Sequence, residues 1–196
     1  MRGLWLGVRV RLDGDRLRLA KVEANSPAAK AGLRAGDTIL EVNNRPVDNF
    51  VDWAKEVAGR GLEKVTLKIF RGGRAVQVTV TLQAEDKVFN SKLLKKRLGL
   101  DVRTLTEGLS KQLGMSFYGG YLITDVEKDG PGEKAGLERG AVIQRVDDQQ
   151  PESLVSLARN IHGRKAGATV KLSVVLEIRR GTFLQRRSGV VNVKIR

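Results

Sequence analysis

Ser26-Pro27-Ala28-Ala29-Lys30-Ala31-Gly32-Leu33-Arg34-Ala35-Gly36-Asp37-Thr38-Ile39-Leu40-Glu41-Val42-Asn43-Asn44 recurs 104 residues further on. The second copy is Gly130-Pro131-Gly132-Glu133-Lys134-Ala135-Gly136-Leu137-Glu138-Arg139-Gly140-Ala141-Val142-Ile143-Gln144-Arg145-Val146-Asp147-Asp148, identical at 8 of 19 positions. Each copy reads as one mechanical unit. Ser26 or Gly130 precedes a Pro at the first position of a short helix. Gly32 or Gly136 ends that helix in a left-handed cap. A second Gly, four residues on, turns the chain into a strand whose repeated apolar pair is Ile39 and Val42 in the first copy. A single copy is an ordinary helix-turn-strand; two copies in the same order divide the chain into two related domains.

The flanks repeat as well. Leu4 to Arg11 reads as a first strand, Leu6, Val8 and Val10 alternating with Gly7, Arg9 and Arg11 as in a half-buried strand, and Leu98-Gly99-Leu100-Asp101-Val102 echoes Leu6-Gly7-Val8-Arg9-Val10. After the first copy, Phe50, Trp53, Ala54 and Val57 fall on one face of a helix over 50–58. Leu154, Leu157, Ala158 and Ile161 repeat that face at the same offset, in a helix over 152–162. The Gly-Gly pair in Arg71-Gly72-Gly73-Arg74 predicts a hairpin between strands over 65–70 and 76–82. Thr106 to Leu113 predicts a short helix with no counterpart in the first half. Strands over 169–178 and 190–195 close the second half, joined by a long basic connection, Arg179 to Gly189. The expected domains are residues 1–84 and 98–196. Between them Lys87, Lys92, Lys95, Lys96 and Arg97 mark residues 85–97 as a basic linker, in which Leu93 and Leu94 can support a helical turn.

The 196 residues carry a net charge of +14. Residues 1–86 hold 15 basic against 11 acidic groups, and residues 87–196 hold 21 against 11. The excess therefore sits in the linker and the second half, and it admits an anionic surface as partner. Aromatic residues are only 5% of the chain and form no stacking motif, so nucleic acid is not expected as a ligand. With no Cys and one His, neither a thiolate nucleophile nor a transition-metal site can be assembled. His162 reads as a solvated surface residue. No Gly-x-Ser-x-Gly elbow is present, and the Gly-rich pieces lack the spacing of a phosphate loop. Catalytic and metal-binding residues are therefore expected to be absent, and no cofactor is implied. No run approaches the length of a membrane span. Met1 to Val8 lacks the apolar core and cleavage pattern of a secretory signal.

An apolar-Gly-apolar strand entry, a Pro-led helix ending in Ala-Gly-Leu, a Gly-Asp strand entry and a late amphipathic helix together resemble the PDZ domain in its bacterial form. The second copy departs from that pattern at Ala141, where the first has Asp37. Tandem PDZ domains with this loop form are similar to the C-terminal region of HtrA/DegP-type envelope serine proteases. The resemblance implies an α+β, mostly β fold: two partly open β-barrels, each with two main helices. It also implies a function in which backbone N–H groups of a Gly-containing loop hold a peptide carboxylate, while the following strand pairs with the peptide as an added strand. In the first domain Trp5, Leu6, Gly7 and Val8 would form loop and strand, with Phe50, Ala54 and Val57 as the facing wall. In the second, Leu98, Gly99 and Leu100 would face Leu154, Ala158 and Ile161. The implied partners are hydrophobic C-termini or extended apolar segments, in service of a parent protease in the cell envelope or periplasm. The alternative is a non-catalytic scaffold or oligomerisation module with a basic face for anionic surfaces, through Lys92, Lys95, Lys96, Arg97, Arg179, Arg180, Arg186 and Arg187.

Overall fold

Gly7 breaks the first expected strand in two. The computed structural model describes residues 3–58, 63–180 and 183–196, excluding the side chains of Ala58, Arg179, Arg180 and Phe183. Its contacts separate two units, Met1–Val88 and Phe89–Arg196.

In the first unit, β1 (Leu4–Trp5) ends ahead of Gly7, and β2 (Val8–Asp13) turns back into β3 (Arg16–Val22). The repeat then supplies α1 (Pro27–Lys30) and β4 (Thr38–Val42). Ser26 caps α1, its hydroxyl accepting from Ala29 N–H at 3.1 Å. After β5 (Arg45–Pro46) comes α2 (Phe50–Ala58), whose first turn is held by Asn49 Oδ1 accepting from Val51 and Asp52 N–H. β6 (Lys64–Arg71) and β7 (Arg74–Thr81) form the hairpin expected from Gly72-Gly73, in continuous register from Lys64↔Thr81 to Arg71↔Arg74. The sheet order is β2-β3-β4-β6-β7, with β5 added on β4, and β8 (Gln83–Ala84) pairs with β1. Leu17, Leu19, Ile39, Leu67 and Ile69 are fully buried, and Trp53 and Val57 of α2 pack against that core.

Residues 85–97 form no open linker. Glu85–Val88 make a short helix, α3, and Ser91–Leu98 make α4. Asn90 caps α4, its side chain accepting from Lys92 and Leu93 N–H, and Gly99 closes it at φ +69. Lys92, Lys95 and Lys96 are on the solvent side of α4, Arg97 is half-buried, and Phe89, Leu94 and Leu98 are buried. Burying three large apolar side chains favours packing by roughly 5 kcal/mol or more, enough to order a segment whose charges suggest exposed chain. Limited trypsin digestion is therefore expected to cut at Lys87 well before Lys92, Lys95, Lys96 or Arg97. Mass spectrometry of early fragments checks this, and early cleavage within residues 92–97 would show α4 to be loosely held.

The second unit continues with β9 (Leu100–Thr104), α5 (Glu107–Gln112), β10 (Tyr121–Val126), α6 (Pro131–Lys134) and β11 (Val142–Val146). It ends with α7 (Leu154–His162), β12 (Thr169–Arg180) and β13 (Phe183–Lys194), giving sheet order β13-β12-β11-β10-β9. The insertion helix α5 is present where expected, capped by Thr106. Under it Leu109, Met115 and Phe117 pack on a small cluster of Leu105, Leu122 and Val142. The connection expected over 179–189 is instead largely strand, since β12 and β13 pair from Thr169↔Lys194 to Arg180↔Phe183. Beyond the two main helices and the insertion helix expected of it, the unit also carries α4. Both units are α+β with sheets that do not close on themselves, and each leaves the strand after its loop glycine, β2 after Gly7 or β9 after Gly99, at one edge.

Candidate functional site

The Gly7 loop is fixed from two sides. Leu6 C=O accepts from Ala28 N–H at the start of α1 (3.1 Å), and Gly7 C=O accepts from Glu23 N–H just beyond β3 (2.8 Å). Gly7 has φ +83. A Cβ there would strike the Ser26 side chain, 2.8 Å from its Oγ and closer still to its Cβ. Only glycine satisfies both the dihedral and the approach. Because Gly7 C=O points at β3, period-two alternation turns the N–H and C=O of Val8 to the open edge of the sheet. Among the described residues β2 pairs only with β3, so that edge is free to accept another strand.

The side chains grade from core to surface along this edge. Leu6 is buried, Trp5 and Val8 are half-buried, and Val8, Val10 and Val57 all pack against the core. On α2, Phe50 and Ala54 are exposed, Phe50 by 48%. Phe50, Trp53, Ala54 and Val57 share one helical face, along which Trp53 and Val57 pack against the core.

The second loop has the same backbone frame: Gly99 C=O accepts from Glu127 N–H at 2.8 Å, which turns Leu100 to the edge of β9. Its surroundings differ. Gly99 is also the cap of α4, and its N–H donates to Lys95 C=O at 2.9 Å. Leu98, Leu100, Ala158 and Ile161 are all buried, and only Leu154 among the expected lining residues is half-buried. His162 is not a solvated surface residue: its ring meets the Phe89 ring edge-on at 5.4 Å, and the Arg159 guanidinium lies 5.4 Å from the centre of the Phe89 ring.

Several of the basic residues serve the fold. Lys95 Nζ meets Asp101 at 2.6 Å, and that hydrogen bond raises the lysine pKa. Arg97 donates to the carbonyls of Arg164 and Arg196. Arg196 pairs with Glu127, whose hydrogen bond lowers the carboxyl pKa. Arg186 stacks over Phe117 at 4.7 Å. Lys92, Lys96 and Arg187 are exposed, and the Arg179 and Arg180 side chains lie outside the described residues. Among the described residues no three His, Cys, Asp or Glu side chains gather as metal ligands.

Two PDZ-domain family models match, over residues 18–71 and 96–182. The chain is a tandem of PDZ domains. Relatives are periplasmic serine endoproteases. A probable DegP-like enzyme of Pseudomonas putida strain F1 is 34% identical over 141 residues, covering 67% of this chain and 29% of the relative. The pH-dependent enzyme DegQ of Escherichia coli K12 is 30% identical over 164 residues, covering 83% of this chain and 34% of the relative. A crystal structure of the serine endoprotease from Yersinia pestis overlaps 42% of this chain and 29% of its own, at 26% identity and a TM-score of 0.38. The tandem PDZ chain thus spans about a third of the curated relatives it matches and resembles the C-terminal region of HtrA-type proteases.

Proposed function

We propose that this chain is the substrate-recruiting part of an HtrA-like serine protease of the bacterial cell envelope, and that its first domain captures hydrophobic peptide C-termini. The observation that carries the reading is the open β2 edge beside the clamped Gly7 loop. A peptide laid antiparallel to β2 would find the outward N–H and C=O of Val8, and its terminal carboxylate would meet the loop N–H groups. Its last side chain would rest on Leu6, Val8 and Val57, with Phe50 and Ala54 on the α2 side. This chemistry needs no catalytic side chain, so the chain contributes recognition and the parent contributes hydrolysis. The periplasmic setting is proposed from the relatives' names.

Titration calorimetry with a peptide ending in an apolar residue tests this. A Kd of about 10 μM, roughly −7 kcal/mol, is expected for the free acid. Amidating the C-terminus removes the charge that the loop reads and should weaken binding at least ~10-fold, since a charge-assisted hydrogen bond contributes about 1.5–3 kcal/mol. Equal affinities for acid and amide would sink the carboxylate assignment. Ala54→Glu is the matching protein variant: the residue is exposed on α2, so the fold should persist while a second negative charge faces the ligand.

A further inference from the structure

Corresponding positions of the two domains differ in exposure in one consistent direction. Val8 and Val10 are half-buried, whereas Leu100 and Val102 on β9 are 0% and 2% exposed. Ala54 is exposed and Val57 half-buried, whereas Ala158 and Ile161 on α7 are both 0% exposed. The sheet order and backbone frame are the same, so the fold alone does not account for the change. Besides α5, whose Leu109 packs on Leu105, Leu122 and Val142, the second domain has Phe89 and α4 in addition, and α4 packs on both β9 and α7.

We propose that α4 is a built-in occupant of the second groove, so that the tandem offers one peptide site, the first, and a second that opens only when α4 lets go. Three observations on α4 itself support this. Phe89 sits against Arg159 and His162, on the side of α7 that continues from Ala158 rather than from the core residue Leu157. Leu94, one turn ahead of the loop residue Leu98, is 1% exposed on a helix that packs on both β9 and α7. The loop is also chemically satisfied: Gly99 N–H, a donor expected to meet a peptide carboxylate, is already bonded to Lys95 C=O. Arg97 further ties the helix down through the carbonyls of Arg164 and Arg196. In effect α4 supplies both things a ligand would bring, apolar side chains for the groove and an oxygen for the loop.

The valence of the module rests on the peptide reading above, but the occupancy of the groove can be tested without any peptide. The chain has no cysteine, so a single introduced thiol reports its own access. In the full chain Ala54→Cys is expected to react freely with a maleimide, and Ala158→Cys at least about 100-fold more slowly, as for a site reached only through local opening. Adding Phe89→Ala and Leu94→Ser should release α4 and bring Ala158→Cys to within several-fold of Ala54→Cys. Leu154→Cys, at the half-buried rim, repeats the comparison should a thiol at position 158 disturb packing. Calorimetry with the free-acid peptide should then give one site in the parent chain and two after the release substitutions. Equal labelling at 54 and 158 in the parent chain overturns the proposal. So does persistent protection at 158 when hydrogen exchange shows α4 unfolded. If labelling behaves as expected and no peptide binds anywhere, it is the peptide-capture reading that fails.

Discussion

Replacing Gly7 by Val is expected to cost the first domain much of its stability, not only its ligand. Two penalties combine. A β-branched residue at φ +83 is strained by about 1–3 kcal/mol. The added Cβ also drives into Ser26, which is fully buried and whose hydroxyl caps α1. Overpacking of that kind adds about 1–3 kcal/mol, and losing the cap adds about 1 more. A total near 4 kcal/mol is a large share of the stability of an 88-residue unit. Gly14→Val is the control, because Gly14 also has positive φ (+61) but a Cβ there meets nothing within 4 Å. Both tryptophans, Trp5 and Trp53, lie in the first domain, so their fluorescence in urea follows that domain alone. The Gly7 variant should unfold at clearly lower urea than the Gly14 variant. Matching midpoints would show that the close approach to Ser26 carries no energy. The geometry also changes what this glycine means for binding. Its hydrogen faces Ser26 rather than an incoming carboxylate, so lost binding in the variant follows from a lost fold, and Ala54→Glu is the sharper probe of the groove.

The repeat was legible because each of its parts is a local rule. The Pro at the helix start, Ala-Gly-Leu at its end and the apolar pair in β4 or β11 depend only on nearby backbone, and they fold where expected. The late helices were legible for a similar reason, since α2 and α7 show an apolar face at helical spacing. α4 is legible only as a helical turn at Leu93 and Leu94, because its composition outweighs its pattern. Four of its eight residues are Lys or Arg, yet Asn90 at its start, Leu94 and Leu98 four apart and Gly99 at its end are ordinary start and stop signals. The far half of the β12–β13 hairpin was missed because it offers no alternation to read. Leu184, Arg186, Arg187, Ser188 and Val190 are all exposed, so neither face is selected to be apolar. Exposure of the two grooves was not legible at all: Val8 and Leu100, or Ala54 and Ala158, look equivalent in sequence. Their difference arises from a segment that the repeat does not include.

Asp37→Ala is expected to destabilise the first domain by about 3 kcal/mol, and adding Arg71→Leu should restore most of the loss. Asp37 is 2% exposed and accepts a two-pronged hydrogen bond from Arg71, Nε and Nη2 each at 2.6 Å, while Arg34 N–H donates to the same carboxylate at 2.8 Å. The pairing raises the Arg71 pKa. Removing the carboxylate leaves a guanidinium held over the turn, with only Gly32 C=O as partner among the bonds just described. The second domain shows the apolar solution to the same turn. Thr38 lies opposite Phe70 and Val142 opposite Val175, so one step outward Arg71 corresponds to Leu176 and Asp37 to Ala141. Leu176 does lie over that turn, its Cδ1 3.8 Å from where a Cβ on Gly140 would stand. Ala141 therefore departs from the first copy together with its partner, and the turn geometry survives without any charge. Because the residues touch, their effects should be non-additive by at least about 2 kcal/mol in a double-mutant cycle read by tryptophan fluorescence in urea. If the double variant is as unstable as the sum of the two single variants, the Ala141 and Leu176 pair is no substitute for Asp37 and Arg71. The two domains would then hold their common turn by unrelated means.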